Sequence, residues 1–115
     1  MTEDSALTTP TEIRAVKGSR AMEIDFADGH TGLYPHRILR GFCPCAACQG
    51  HEGAIVFVEG GDQELVDISE VGNYAILLSW GDGHATGIYS FRFLRDLCNC
   101  SVCWQGDVAT RQFNR

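Results

Sequence analysis

The chain carries one motif twice. Residues 28–48 read DGHTGLYPHRILRGFCPCAAC and residues 82–103 read DGHATGIYSFRFLRDLCNCSVC. With one extra residue in the second copy, Asp28, Gly29 and His30 align with Asp82, Gly83 and His84. Gly32, Tyr34, Arg37, Leu39, Arg40, Cys43, Cys45 and Cys48 then align with Gly87, Tyr89, Arg92, Leu94, Arg95, Cys98, Cys100 and Cys103. Eleven identities in twenty-one aligned positions are far above chance, and self-similarity of this kind decides architecture before local propensity does. Upstream, Ile13, Val16 and Gly18 correspond to Ile68, Val71 and Gly72. Two units, about 11–48 and 66–103, are joined by a connector, Gln49–Glu64, in a chain of 115 residues, one domain's length.

Both units read alike. Glu12–Val16 and Asp67–Val71 are expected as first strands, each followed by a turn containing Gly18 or Gly72. Ala21–Phe26 and Ala75–Trp80 are expected as second strands. In the former, Met22, Ile24 and Phe26 alternate with acids, the pattern of a half-exposed strand. The latter is apolar from Ala75 to Leu78, so it should be more buried. Asp-Gly then marks a tight hairpin, expected as type I′ with positive φ at both central residues. Short third strands follow at Thr31–Tyr34 and Thr86–Tyr89, then short helices at His36–Phe42 and Phe91–Leu97. Pro35 suits a first helical turn and Ser90 an N-cap. Leu39 with Phe42, and Leu94 with Leu97, face inward at i, i+3 spacing. Trp80, Tyr34 and Tyr89 are expected as core or hairpin residues rather than as a ligand cage. The connector should hold one more strand, Ala54–Glu59, closed by Gly60-Gly61. The expected fold class is α+β: one small domain of two ββ(β)α repeats related by a pseudo-two-fold axis, with a cysteine loop after each helix. Residues 1–10 are expected as a flexible N-terminus, 11–104 as the domain and 105–115 as a flexible tail.

All six cysteines lie in two copies of C-x-C-x-x-C: Cys43, Cys45, Cys48 and Cys98, Cys100, Cys103. Closely spaced thiolates on one loop suit a soft metal ion. The competing readings are disulfides, favoured only on export, and unliganded thiols packed as small hydrophobes. The start MTEDSALTTPTE has neither the positive cluster nor the apolar stretch of a secretory signal. No apolar run approaches a membrane span, so a cytoplasmic location is expected. Three thiolates leave one tetrahedral position for a further ligand. Of His30, His36, His51 and His84, only His30 and His84 are related by the repeat. His36 and His51 are expected at the surface. Arg37, Arg40, Arg92 and Arg95 either offset the negative site or form solvated faces. Asp25, Asp28 and Asp82 are expected to bond locally at the turns. A net charge of −6 disfavours nucleic-acid binding.

The run HRILRGFCPCAAC with WGDGHATGIYS resembles the N-terminal domain of gamma-butyrobetaine hydroxylase. That domain also occurs alone in bacterial proteins and appended to Mrp-type iron–sulfur carrier ATPases. The resemblance spans roughly residues 11–104. It implies a zinc site of Cys43, Cys45, Cys48 and His84, and a role in dimer assembly. If the repeats are two-fold related, a second site of Cys98, Cys100, Cys103 and His30 follows. The hydroxylase's catalytic domain has no counterpart here, and no His begins the H-x-D of a non-heme iron site. Neither a phosphate loop nor a G-x-S-x-G elbow occurs. The resulting expectation is a non-catalytic metal-binding accessory module with zinc, docking on a protein partner or on itself, without nucleic acid or membrane. The alternative is an iron–sulfur cluster carrier or assembly factor using the same cysteines. A thiol–disulfide enzyme fits less well, because the spacing lacks a C-x-x-C at a helix N-terminus.

Overall fold

Two antiparallel sheets follow from the alternation described above. The computed structural model describes residues 6–15, 20–45, 49, 54–59, 61, 63–85, 87–98 and 112–113. Strands β1 (Pro10–Arg14), β2 (Ala21–Phe26) and β3 (Thr31–Pro35) form a sheet in that order, followed by helix α1 (His36–Gly41). After β4 (Ile55–Val56), strands β5 (Leu65–Val71), β6 (Ala75–Trp80) and β7 (Gly87–Ser90) form a second sheet, followed by helix α2 (Phe91–Leu97). Strand β8 (Gln112–Phe113) pairs antiparallel with β4. The domain is α+β. None of the described helices is long and apolar enough to cross a membrane.

The registers of the sheets correspond. Ile13 faces Ile24, which faces Gly32; Ile68 faces Leu78, which faces Gly87. Met22, Ile24 and Phe26 from β2 and Ile76, Leu78 and Trp80 from β6 are buried in a single core with Leu39, Phe42, Leu94 and Leu97. As expected, β6 is more buried than β2, since Ala75 as well as the inward residues is covered. The tyrosines cross between the halves. Tyr34 Oη on β3 donates to the Leu94 carbonyl of α2 at 2.6 Å, and Tyr89 Oη on β7 donates to the Leu39 carbonyl of α1 at 2.5 Å. Each buried bond contributes about 0.5–1.5 kcal/mol net, and losing the donor strands a buried carbonyl. Gly32 is required by this packing: a Cβ there would lie 2.5 Å from Tyr34 Oη.

The hairpins are not type I′. No non-glycine residue among those described has positive φ; Gly29 and Gly83 have φ of 93° and 89°. Gly29 N donates to Phe26 O while Phe26 N donates to His30 O, and Gly83 N to Trp80 O while Trp80 N donates to His84 O. This is a three-residue hairpin loop, in which only the closing glycine needs the left-handed region. Asp28 and Asp82 stay at negative φ and bond locally as expected, accepting from the His30 and His84 amides.

Other expectations shift. β1 covers Pro10–Arg14 rather than Glu12–Val16, and Val16 lies outside the described residues. β5 begins at Leu65, and α1 stops at Gly41 rather than Phe42. Pro35 occupies the cap position of α1 without a side-chain cap, whereas Ser90 Oγ accepts from the Phe93 amide at 3.0 Å. The connector strand shrinks to Ile55–Val56, because it has only two residues of β8 to pair with. The flexible tail expected over 105–115 does not extend to Gln112–Phe113: Phe113 is buried edge-on against Phe42 and Phe93. His36 is not a surface residue. It is 8% exposed, with its ring edge-on to Trp80 at 6.0 Å. Its aligned partner in the second half is Phe91, also buried. His51 lies outside the described residues.

Candidate metal centre

The chain leaving α1 turns Cys43 into the core and Cys45 to a half-buried position. The β6–β7 hairpin delivers His84 to the same place, with its backbone amide fixed by Asp82 Oδ1 at 3.0 Å and its carbonyl by Trp80 N at 2.9 Å. His84 Nε2 stands 3.3 Å from Cys43 Sγ and 3.6 Å from Cys45 Sγ, and the two sulfurs are 3.5 Å apart. Bond lengths of about 2.3 Å to sulfur and about 2.0–2.1 Å to nitrogen put tetrahedral neighbours roughly 3.5–3.8 Å apart. Two thiols and an imidazole at these separations therefore fit around one ion. Cys48, the fourth expected ligand, lies outside the described residues.

Two supports for this loop had no signal in the sequence pattern. Gln49 Nε2 donates to the Cys43 carbonyl at 3.1 Å and to Val56 O at 2.8 Å, while Val56 N donates back to Gln49 Oε1. One side chain thus ties the cysteine loop to β4. Gly87 lets β7 approach: a Cβ there would lie 2.6 Å from Cys43 Sγ. This glycine was one of the eleven identities, yet its pairing with a thiol follows only from the fold.

The second histidine meets the second cysteine loop. His30 Nε2 lies 3.5 Å from Cys98 Sγ, and the Leu33 amide donates to the same sulfur at 3.4 Å. Cys98 is buried at the end of α2. Cys100 and Cys103 lie outside the described residues. Burial holds the His30 imidazole below its ordinary pKa, with Arg95 acting in the same direction and Asp28 opposing. Among the described residues, Cys43, Cys45 and Cys98 form no disulfide.

The arginines mostly meet carboxylates. Arg95 makes a two-pronged bond to Asp28, both contacts 2.9 Å, and this holds the Asp28 carboxyl down at about 2. Arg95 also lies over the Phe26 ring. Arg37 pairs with Glu59 and stacks on Phe57, and Arg92 pairs with Asp96. Asp25 is not a turn residue: Arg14 at 2.7 Å and Thr31 at 2.8 Å hold its carboxyl down at about 2.

Residues 13–95 match the model of the family described as gamma-butyrobetaine hydroxylase-like, N-terminal. No curated protein matches the chain. Among solved structures, it is similar to a crystal structure of a DUF971-family protein of unknown function from Acidithiobacillus ferrooxidans ATCC 23270. The identity is 39%, covering 78% of this chain and 92% of that one, with a TM-score of 0.63. Two solution structures are also similar. One is 36% identical over 85% of this chain and 74% of that one, with a TM-score of 0.67. The other is 30% identical over 77% and 71%, with a TM-score of 0.60. The matched segment takes in β2, β3, α1, the sheet β5-β6-β7 and the Cys43–Cys45–His84 group, and the chain belongs to the gamma-butyrobetaine hydroxylase-like N-terminal domain family.

Proposed function

We propose that this protein is a non-catalytic accessory module built around a zinc ion held by Cys43, Cys45, Cys48 and His84. The observation that carries this reading is the convergence of Cys43 Sγ, Cys45 Sγ and His84 Nε2 within 3.6 Å of one another. Cys48 supplies the fourth ligand by its sequence position. A mononuclear ion draws its ligands into mutual contact in this way. A cubane cluster takes one thiolate per iron and spreads its sulfurs apart, which favours zinc over the iron–sulfur alternative.

The two halves are related by an approximate two-fold axis in this reading. Three reciprocal contacts support it: Tyr34 to α2 against Tyr89 to α1, His84 to Cys43 against His30 to Cys98, and matching hairpin bonds at Gly29 and Gly83. A structural ion tying the first cysteine loop to the second hairpin stabilises the join between the halves. The module acts in the cytoplasm by docking on a protein partner or on a second copy.

Metal analysis and a visible spectrum of anaerobically purified protein test the assignment. The expected result is colourless protein containing zinc. Brown protein absorbing near 400 nm would establish the iron–sulfur reading instead. Because metal binding here is folding free energy, Cys45→Ser should lower both metal content and melting temperature. Unchanged metal and melting would remove the structural role.

A further inference from the structure

The two three-stranded sheets have four edges, formed by β1, β3, β5 and β7. Three of them are blunted. β1 opens with Pro10, which has no amide to donate, and its Arg14 is tied across the sheet to Glu23 and Asp25. β3 ends at Pro35, and its Leu33 amide is spent on Cys98 Sγ at 3.4 Å. β7 is only four residues long, with Gly87 packed against the Cys43 sulfur. Proteins manage edges in these ways because a bare strand pairs with any extended chain it meets.

β5 is the exception. It is the longest of the described strands, seven residues, and holds neither proline nor a basic side chain. A bulge sits at Val66, and Asp67–Val71 then run in regular register on β6. Among the described residues, no strand pairs with its other side and no backbone bond reaches it there. Alternate amides and carbonyls of this run point away from β6. Val66, Asp67, Ser69 and Glu70 are exposed, Val66 at 56%.

We infer that the open edge of β5 docks an extended segment of a protein partner by strand addition, and that this segment carries Lys or Arg alternating with apolar residues. The inference rests on the docking part of the function proposed above and is independent of the zinc. Charge selects the occupant. Among the described residues, neither Asp67 nor Glu70 forms an ion pair, whereas on the first sheet Arg14 meets Glu12, Glu23 and Asp25. A second copy of β5 laid alongside would gather Asp67 and Glu70 of both strands with no cation between them, and like charges on paired strands are destabilising. The net charge of −6 on each chain adds to that repulsion. A basic segment instead sets its cations beside both carboxylates, while its main chain takes up the outward amides and carbonyls.

The probe is a blocked peptide of sequence KVTVKVTVK, with EVTVEVTVE as control, added to isotope-labelled full-length protein whose zinc content is measured in the same sample. The basic peptide should shift and protect the amides of Asp67–Val71, leave those of Pro10–Arg14 unmoved, and bind more weakly as salt is raised. The acidic peptide should not bind. Asp67→Lys combined with Glu70→Lys should weaken the basic peptide by about tenfold or more and let the acidic one bind. Far-ultraviolet circular dichroism shows whether that variant is folded; if it is not, the wild type's choice between the peptides decides. No binding of the basic peptide, equal binding of both, or shifts that spare β5 overturns the inference. Self-association of the wild type that protects the β5 amides makes a second copy the occupant and overturns it as well. Protein without zinc that still binds the basic peptide along β5 removes the zinc assignment and leaves this inference standing.

Discussion

The sheet β1-β2-β3 and the sheet β5-β6-β7 have matching inner faces and unlike outer ones. Inside, Met22, Ile24 and Phe26 correspond to Ile76, Leu78 and Trp80, and all are buried in one core. Outside, the first sheet carries a charged lattice: Arg14 bonds Glu23 at 3.0 Å and Asp25 at 2.7 Å, with Glu12 at 3.4 Å. The second sheet places Ser69, Leu77 and Ile88 side by side in register, and Ile88 is 47% exposed. The inner faces are constrained because each packs against the other half. The outer faces answer to solvent, and their residues differ.

Paired substitutions sharpen this contrast, the largest effects lying where the halves interlock. Leu39→Ala and Leu94→Ala, at fully buried aligned positions, should each cost about 2–5 kcal/mol in chemical denaturation. A difference of several kcal/mol between them would mean the two helices are not equivalent in the core. Tyr34→Phe and Tyr89→Phe should cost about 1–3 kcal/mol each, because a buried helix carbonyl loses its donor. If either is neutral, that crossing bond does not hold the halves together.

A smaller effect concerns pH. Burial holds the His36 imidazole below its ordinary pKa, so the unfolded chain takes up the proton first. The stability this residue permits is fully present above pH ~6.5 and falls as the pH drops towards its lower folded value. His36→Phe, which copies Phe91, should remove that slope, up to about 1.4 kcal/mol per pH unit. Melting curves at pH 7 and pH 5 should therefore converge for the variant relative to wild type; parallel losses would exonerate His36. The smallest effects should lie on the outer faces. Ile88→Thr should change stability by less than about 0.5 kcal/mol, and a larger loss in urea denaturation would show that the face is packed.

The alternating strand, the apolar strand and the capped helix could be read from their own residues. Ala21–Phe26, Ala75–Trp80 and Phe91–Leu97 have the expected bounds. Long-range partners left no local trace. Nothing in Ile55–Val56 marks it as the partner of Gln112–Phe113. His36 looks like a surface residue by type, and only its alignment with Phe91 hinted at a buried position. At the site, repetition singled out the cysteines and both hairpin histidines. Which histidine meets which loop is set by the way the halves cross, and a two-copy alignment does not contain that information. The hairpin type was misjudged because Asp-Gly suits both a two-residue and a three-residue loop.

The crossing also sets an order of events during synthesis. Cys43 leaves the ribosome 41 residues ahead of His84. At translation rates of about 5–20 residues per second, that is about 2–8 s. Throughout that interval Cys43 and Cys45 lack the His84 imidazole, and Cys43 lacks the β7 strand that packs against it. The thiols of the nascent chain are then at their most exposed to oxidation, so a reducing environment matters more while the protein is being made than after it has folded.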